Sequence, residues 1–344
     1  MKKEDLTILV VGAGAVGGIT AALLKKHGYN VEIICKHDAY AEKINRNGFS
    51  VSGVTGNFVI VVPAFASAEK ISGKKDLILL ATKVTDMADA ARSVIHLLSE
   101  EGCLVAFQNG IFEEELASIS GNVSVAGCIT GWGATMEEHG NLNMTSSGDF
   151  ILGYPDKAAD KKLEDIALIL SSVMPAGITD NFIGHQYSKL IINSCITALG
   201  AVCGLYLGKM LSRRKIRNIF IEIMREAILV ADALNIKVEV FGGRLDFYKF
   251  LGGTGPLSVI KRHFMIMIIG FKYRKLKSSS LQSLSKGKPT EIEYLNGFIV
   301  RMGYAKGIPV PVNGTIVRMI HEIENKSRII SESNFIDPFF DRFS

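Results

Sequence analysis

The chain has 344 residues, which is too long for one ordinary hydrophobic core and predicts two domains of roughly 100–200 residues each. Its formal net charge of +5 is modest and is not gathered into a long basic run, so no nucleic-acid partner is expected. The longest apolar stretch of the most basic region is Phe264–Ile269, far short of the ~18 residues that span a bilayer. We predict a buried helix there and no association with a membrane.

The start of the chain and its cysteines indicate the compartment. Met1–Asp5 is charged and leads straight into an apolar segment, without the usual order of a signal peptide. The five cysteines are scattered and never spaced Cys-x-x-Cys, which is typical of reduced core thiols, and the histidines show no metal-ligand spacing. We therefore predict a cytoplasmic protein without a metal site.

Short β-branched segments alternate with helical segments from Leu6 to about Tyr154. This alternation predicts an α/β fold, with an N-terminal Rossmann domain built on a doubly wound parallel sheet. The candidate strands are Thr7–Val11, Val31–Cys35, Leu77–Ala81, Leu104–Gln108 and Val123–Ile129. After them, Gly140-Asn141-Leu142 separates Trp132–Glu138 from Asn143–Gly153, which predicts a hairpin that closes the domain.

From Lys161 onward the pattern is helical, which predicts a mostly α-helical C-terminal domain. The clearest helical segments are Lys162–Val173, His185–Leu205, Arg214–Leu234 and Glu291–Tyr304. Turn-forming residues in Met174–Asp180 place the boundary at their end, so we predict domains 1–180 and 181–344. Glycine-rich interruptions leave the path between about 241 and 278 open.

A glycine motif joins the first strand to the first helix. The segment Gly12-Ala13-Gly14-Ala15-Val16-Gly17 follows the strand directly, and Ile19–His27 is helical. Gly12 permits the tight turn, Gly14 lets backbone approach a pyrophosphate, and Gly17 lets the helix pack on the strand. In this strand–turn–helix setting the motif predicts a dinucleotide bound at the helix N-terminus.

The end of the second predicted strand indicates which dinucleotide is bound. NAD-specific folds usually place an acidic side chain there for the ribose hydroxyls, whereas this chain has Lys36. Glu32 lies early in the strand, and we assign it a surface role. Lys36, together with Lys83 after the third strand, suits the 2′-phosphate of NADP(H). The alternative for each lysine is a solvated charge at a strand end.

Two further segments carry candidate site residues. Asn109 follows a predicted strand at its carboxyl end, either beside the nicotinamide or within an ordinary Asn-Gly turn. Lys189, Asn193 and Thr197 recur at four-residue steps and so share one face of an apolar helix. An ammonium beside a bound ketone can donate a proton to the carbonyl oxygen as hydride reaches the carbon. The alternative is a snorkelling lysine on a partly exposed helix.

A serine-rich segment precedes a predicted helix start. Ser278-Ser279-Ser280 comes before Pro289, Thr290 and Glu291, a combination that favours a helix N-terminus. One interpretation is that Glu291 is present only because a carboxylate stabilises the exposed N–H groups at a helix N-terminus. The functional alternative is that a serine hydroxyl binds a substrate carboxylate while Glu291 accepts from a substrate hydroxyl or orients Lys189.

Taken together, these motifs resemble the ketopantoate reductase (2-dehydropantoate 2-reductase) family over nearly the whole chain. The resemblance rests on Gly12–Gly17, Asn109-Gly110, Lys189-Leu190 with Asn193, Ser279, Thr290–Glu293, Gly307-Ile308-Pro309, Pro311 and Asn313. It implies NADPH-dependent reduction of 2-dehydropantoate to (R)-pantoate, a step towards pantothenate and coenzyme A.

The resemblance also implies residue roles. Lys189 would be the general acid, and Glu291 would bind and orient the substrate. Ser279 would contact the substrate carboxyl group and Asn193 a substrate hydroxyl, while Asn109 would lie between nicotinamide and substrate.

Two positions depart from the family pattern. Thr197 stands where the family commonly has a second asparagine, and Ser283 where it commonly has an aspartate. Because a polar pocket discriminates strongly between substrates, the loss of a polar partner can shift the substrate. The alternatives are therefore a reductase of another 2-oxo acid, an opine-type dehydrogenase, or an NADP(H) sensor without turnover. The sequence leaves the oligomeric state open, with a homodimer as one option.

Overall fold

The structure, a computed structural model, describes residues 3–343 and divides into two compact units. The N-terminal unit ends at Phe182, and the C-terminal unit begins at Ile183. Asn109–Ile111 groups with the C-terminal unit, although the segments on both sides of it belong to the N-terminal one. Among the described residues, no helix has the length and apolar character needed to cross a membrane.

The N-terminal unit is built on an eight-stranded sheet in the order β12-β11-β8-β7-β6-β1-β2-β5. The strands from β8 to β5 in that order are parallel, and β11 joins β8 in the antiparallel sense. The strands are β1 Thr7–Val11, β2 Asn30–Ile34, β5 Ala64–Phe65, β6 Lys75–Leu80, β7 Leu98–Ala106, β8 Ser124–Thr130, β11 Phe150–Gly153 and β12 Ala176–Ile178. The predicted Rossmann sheet is confirmed, and its five predicted strands are β1, β2, β6, β7 and β8.

A second, four-stranded sheet has the order β4-β3-β10-β9. Its strands are β3 Phe49–Gly53, β4 Phe58–Ile60, β9 Gly133–Glu138 and β10 Asn141–Ser146. The predicted hairpin is right in its first strand and wrong in its second. The turn is centred on His139-Gly140, with Gly140 at φ +89°, and the second predicted strand divides between the two sheets as β10 and β11.

Helices of the N-terminal unit connect the parallel strands. They are α1 Ala15–Lys26, α2 Asp38–Asn47, α3 Met87–Val94, α4 Glu113–Ser120 and α5 Lys161–Leu170. The central strands β1 and β6 are buried over nearly their whole length, as expected for parallel strands covered on both faces. This core fixes the carboxyl ends of the strands, where the glycine motif lies.

The C-terminal unit is helical, which confirms the predicted fold class. Its helices are α6 Phe182–Cys203, α7 Leu207–Ser212, α8 Arg214–Ala233, α9 Phe247–Leu251, α10 Pro256–Lys272, α11 Ser279–Ser285, α12 Asn296–Lys306 and α13 Pro311–Glu324. Apolar side chains of α6, α8, α12 and α13 form one core. The path that the sequence left open, 241–278, contains α9 and α10.

The helix predicted from Glu291 begins later than expected. A short 3-10 turn covers Ile292–Tyr294, the chain bends at Leu295, and α12 starts at Asn296. The Thr290 hydroxyl accepts from the Ile292 N–H at 3.3 Å, a local side-chain bond that competes with helix continuation at this point.

The helix predicted over Phe264–Ile269 exists, but the prediction that it is buried is wrong. Gly255 precedes α10 as its N-cap and Pro256 occupies its first turn, an arrangement that favours a helix start. Only Arg262, Ile266 and Gly270, at four-residue steps, form its buried face. Local apolar content predicted the helix, whereas burial depends on which elements pack against it.

Candidate active site

The glycine motif forms a tight turn between β1 and α1. Gly12 has φ +111°, a conformation that favours glycine, and a Cβ there would lie 2.8 Å from backbone atoms of Ala81. A Cβ on Gly17 would lie 2.0 Å from the Gly12 carbonyl oxygen, so only glycine lets the helix pack this closely on the turn. A Cβ on Gly14 would meet nothing within 4 Å. Backbone at Gly14 therefore stays open to a ligand at the N-terminus of α1, which is the arrangement that a pyrophosphate needs.

Two polar side chains that the sequence analysis missed hold this region. The Tyr40 hydroxyl donates to the Ala13 carbonyl oxygen at 2.8 Å, and burial raises the pKa of Tyr40 to about 12, so it stays a donor. The Gln108 side-chain amide donates to the Leu80 and Thr82 carbonyl oxygens at 3.1 and 3.3 Å. Gln108 thereby ties the carboxyl ends of β6 and β7 together. Neither residue has a local sequence signal, because each contact spans more than 25 residues.

The two lysines predicted to bind the 2′-phosphate lie near one another. Lys36 follows β2 and forms an ion pair with Asp86 at 3.7 Å, with both side chains mostly exposed. Lys83 precedes the 3-10 turn that ends at Asp86, whose N–H donates to the Lys83 carbonyl oxygen. The ion pair is long and solvated and contributes little stability, so it leaves the Lys36 ammonium available to a phosphate.

The surface role assigned to Glu32 is wrong. Its carboxylate forms an ion pair with Lys75, whose side chain is buried. Lys75 also donates to the Ser72 carbonyl oxygen at 2.9 Å. A buried ammonium needs such partners, since an unpaired one is costly. Glu32 therefore neutralises a buried lysine across the sheet, from β2 to β6.

The predicted polar face of α6 is present. Lys189 and Asn193 are half-buried, one helical turn apart, and Thr197 is buried one turn further on. The Thr197 hydroxyl donates to the Asn193 carbonyl oxygen at 2.7 Å. The Thr197 proton is therefore used within the helix, and this position offers an external ligand only acceptor capacity.

The serine segment lies against the same helix. Ser278 is the N-cap of α11 and its hydroxyl donates to the Thr197 carbonyl oxygen at 3.3 Å. A Cβ on Gly200 would come within 2.7 Å of the Ser278 hydroxyl oxygen, so the approach requires glycine on α6. Ser279, the predicted substrate contact, is the exposed first residue of α11.

Asn109 is placed beside the 3-10 turn that follows Glu291. Its neighbour Gly110 has φ +93°, and a Cβ there would lie 2.5 Å from the Tyr294 carbonyl oxygen. Asn109 and Glu291 are both half-buried. The structure thus packs the turn after Asn109 against the 3-10 turn after Glu291, although the two site residues are 182 positions apart in sequence.

Asn296 joins this segment to α6. Its side-chain amide donates to the Ser194 carbonyl oxygen at 3.1 Å and to Asn313 Oδ1 at 2.9 Å, and the residue is fully buried. In the C-terminal unit, α6 is therefore contacted by the start of α11 at Thr197 and by the start of α12 at Ser194. The polar residues predicted from separate motifs lie on segments that converge on one helix.

A buried carboxylate supports this arrangement. Glu226 on α8 accepts from the backbone N–H groups of Val312 and Asn313 at 2.8 and 2.9 Å, and from the Asn313 side-chain amide at 2.7 Å. These backbone groups lie in the first turn of α13, where a helix has unpaired N–H groups. Burial raises the pKa of Glu226, although the hydrogen bonds from Asn313 and Val312 oppose the increase.

A second carboxylate cluster fixes the segment before Glu291. Glu324 accepts from the Thr290 N–H and hydroxyl at 2.7 and 2.8 Å. His321 contacts Glu324 at 3.2 Å and Glu293 at 2.7 Å. Burial lowers the pKa of His321, but hydrogen bonds to Glu293 and Glu324 outweigh it and leave the pKa raised. The imidazolium is thus stabilised between Glu293 and Glu324, of which Glu324 also binds Thr290, the residue before Glu291.

Replacement of His321 by Gln is expected to produce a pH-dependent loss of stability. Since the raised pKa of His321 means that the folded state favours the charged ring, its contribution is complete below the unfolded pKa of about 6.5 and is lost as pH rises through the folded value. The side chain is partly exposed, so we expect at most about 1 kcal/mol. Urea unfolding at mildly acidic and alkaline pH measures the difference, which high salt should reduce. An equal difference at both pH values would contradict the ion-pair interpretation.

Thiols, possible metal ligands and a cavity lie elsewhere in the two units. All five cysteines are buried and none is part of a disulfide, as predicted for core thiols. Within residues 3–343, no group of His, Cys, Asp or Glu side chains is arranged to hold a metal ion. A cavity of about 330 Å³ lies in the N-terminal unit between α4 and β8, and none of the predicted site residues lines it.

The glycine turn on a parallel sheet, followed by a helical unit with a polar face, defines a dinucleotide-binding protein of the Rossmann class. The chain matches the family model described as Ketopantoate reductase PanE/ApbA over residues 8–157. It matches the model described as Ketopantoate reductase PanE/ApbA C terminal over residues 181–324. The chain therefore belongs to the ketopantoate reductase family, which confirms the resemblance found in the sequence.

Individual relatives are similar over almost their full length. The chain is 26% identical over 309 residues to a 2-dehydropantoate 2-reductase of Pyrococcus horikoshii, covering 90% of this chain and 94% of the relative. A crystal structure of a PanE/ApbA family ketopantoate reductase from Ralstonia eutropha matches with a TM-score of 0.80 and 26% identity, covering 93% and 99% of the two chains. The fold is shared with D-mandelate dehydrogenase in complex with NADH and anilino(oxo)acetate, at a TM-score of 0.79 and 21% identity over 93% of this chain and 99% of that one.

Proposed function

We propose that this protein reduces 2-dehydropantoate to (R)-pantoate with NADPH, a reaction on the route to pantothenate and coenzyme A. The observation that carries the proposal is that α6, which bears Lys189 and Asn193, is contacted by the segments next to Ser279 and Glu291, in a chain that both family models match. The names of the relatives support the same substrate.

The residues of the N-terminal unit fit the cofactor. The open backbone at Gly14 and the N-terminus of α1 accept a pyrophosphate, and Lys36 with Lys83 would hold the 2′-phosphate. Bound NADPH supplies the hydride that the substrate carbonyl carbon receives. We also place Ala13, Ala15 and Val16 in the cofactor loop, and Asn109 between nicotinamide and substrate.

The protein's own part in the chemistry is binding and proton transfer. Lys189 donates a proton to the carbonyl oxygen, which would otherwise carry the negative charge that develops during reduction. Glu291 binds and orients the substrate, Ser279 contacts its carboxylate, and Asn193 contacts its hydroxyl. A 2-oxo acid becomes a 2-hydroxy acid, with one hydride added to carbon and one proton added to oxygen.

The test is NADPH oxidation by the purified protein, followed at 340 nm, with a panel of 2-oxo acids. The panel includes 2-dehydropantoate and the analogue in which hydrogen replaces its hydroxyl group. We expect the highest kcat/KM with 2-dehydropantoate. A preference for the analogue would replace the proposed substrate by another 2-oxo acid and make Thr197, whose hydroxyl donates within α6, and Ser283 the first positions to substitute. A requirement for an amine co-substrate would indicate opine-type chemistry.

Replacement of Lys36 by Ala is expected to reduce the preference for NADPH over NADH. Removal of a cation from the 2′-phosphate should lower the ratio of the two kcat/KM values about tenfold, which corresponds to about 1.4 kcal/mol. Lys161→Ala is the matched control, because its side chain is 73% exposed and that of Lys36 is 75% exposed. An unchanged ratio in Lys36→Ala, or wild-type protein that uses NADH equally well, would contradict the assignment.

Three further properties are part of the proposal. We propose that residues 1–180 act as the cofactor domain and residues 181–344 as the substrate domain. We propose that the protein acts in the cytoplasm, where NADPH and coenzyme A precursors are available. We also propose that it is a homodimer without a nucleic-acid partner.

A further inference from the structure

An apolar stripe covers the outer face of α10. Its members are large side chains with between 46% and 82% of their surface exposed: Leu257, Ile260, Phe264, Met267, Ile268 and Phe271. The opposite face, formed by Arg262, Ile266 and Gly270, packs into the C-terminal unit, with Gly270 against Leu211. The helix is therefore anchored by this side, with half-buried residues such as His263 and Met265 flanking it, and presents the stripe to solvent.

The spacing of the stripe is that of helix–helix packing. Leu257, Ile260, Phe264, Met267 and Phe271 are separated by alternating steps of three and four residues. This repeat is typical of an apolar stripe that packs against another helix. The stripe is narrower than the apolar face of a helix that lies on a lipid surface. The pattern indicates a helical partner.

The size of the stripe matches one side of a stable interface. Its six residues together expose on the order of 800 Å², taking about 200 Å² for a fully exposed residue of this size. The largest apolar patch of a typical monomer is about 300–600 Å², and a standard interface buries about 800 Å² from each partner. The exposed area is thus sufficient for association and large for a monomer.

We propose that α10 is the interface with a second copy of this chain, packed antiparallel to its counterpart about a two-fold axis at Phe264. In this register each Leu257 faces Phe271 of the other copy, and each Ile260 faces Ile268, so apolar residues meet apolar residues. The segment 247–290 has no Asp or Glu, so no acidic residue of α10 would offset two lysines that faced each other. In this register no two lysines do so, because Lys261 faces Met267 and Lys272 faces Pro256. The surface is self-complementary, which is the requirement for a two-fold interface.

The test is sedimentation velocity of full-length variants over a range of concentrations. Wild type is expected to be dimeric at micromolar concentration, and Ile260→Glu and Ile268→Lys should each raise the dimer Kd by about 100-fold, because each buries an unpaired charge. The double variant Ile260→Glu/Ile268→Lys should recover dimerisation, since the two charges face one another only in the antiparallel register. Leu168→Glu, on the exposed face of α5, is the matched control and should stay dimeric.

Three results would overturn the proposal. The first is a monomeric wild type at all concentrations, and the second is a dimer that Ile260→Glu leaves intact. The third is binding of wild type to phosphatidylglycerol vesicles that both single variants lose and the double variant fails to recover, which would assign the basic, apolar helix to an anionic membrane surface. NADPH binding by each variant verifies that the fold is intact, and the proposal does not depend on the reaction catalysed.

Discussion

Replacement of Lys189 by Ala is expected to lower kcat for 2-dehydropantoate reduction by about 10²–10⁴-fold, the usual contribution of a positioned general acid. Lys189 lies half-buried on the face of α6 that also carries Asn193, and the segments that start at Ser278 and Asn296 contact the same helix at Thr197 and Ser194. Without its ammonium, the oxygen of the reacting carbonyl loses its proton source. Single-turnover kinetics, together with NADPH binding by fluorescence, measure the two effects separately, and NADPH affinity should remain unchanged.

The control for this variant must separate chemistry from folding. Lys209→Ala, on α7 of the same unit, removes an equal charge and is expected to leave kcat within about twofold, as for most surface substitutions. A wild-type protein that binds NADPH but oxidises it with no 2-oxo acid would favour the sensor alternative. A Lys189→Ala variant with full kcat would remove the general-acid assignment.

The parts of the fold that could be predicted are those whose signal is local. Strand β1 was predicted with its observed bounds, because a buried parallel strand is a continuous β-branched segment next to a glycine turn. The helical face of Lys189, Asn193 and Thr197 followed from the helical period alone. The roles of Gly12, Gly14 and Gly17 also followed from the motif, and the backbone geometry agrees with them.

The parts that could not be predicted depend on pairing between distant segments. Strand β3 pairs with β10 about ninety residues later, so nothing near Phe49–Gly53 indicated a second sheet. The contact of Lys75 with Glu32 bridges two strands and changed the role of Glu32 from surface charge to partner of a buried lysine. For α10, composition indicated burial, whereas only the fold shows which side chains other helices cover.

The same limit applies to the site. Nothing in the sequence related Glu226 to Asn313, which is 87 residues away, or Asn296 to Ser194, which is 102 residues away. These hydrogen bonds join α8, α13, α12 and α6 through buried polar groups. The sequence identified the candidate catalytic and substrate-binding residues. The structure adds the buried polar residues that join the helices on which those candidates lie.

Replacement of Glu226 by Ala is therefore expected to lower the free energy of unfolding by about 3–5 kcal/mol. The carboxylate accepts from three N–H groups of Val312 and Asn313, and the variant removes this acceptor from two buried backbone donors, whereas the Asn313 side-chain amide keeps the Ile223 carbonyl oxygen at 3.4 Å. Glu222→Ala is the matched control, because it lies one turn earlier on α8, is partly exposed, and pairs only with Arg225 among the described contacts; its loss should be about 0.5 kcal/mol. Urea unfolding measures both losses. Equal losses in the two variants would show that the buried hydrogen bonds of Glu226 stabilise the fold no more than the exposed ion pair of Glu222 does.

The pH dependence of the Glu226 contribution distinguishes a buried carboxylate from a simple hydrogen-bond acceptor. Burial raises the pKa of Glu226, so the folded state binds its proton more tightly than the unfolded chain does. This contribution to stability is complete below the unfolded pKa and is lost as pH rises through the folded value. Relative to Glu226→Gln, which cannot ionise, wild type should lose stability as pH rises across that window. A difference that does not change with pH would mean that the hydrogen bonds from α13 offset the cost of burying the charge.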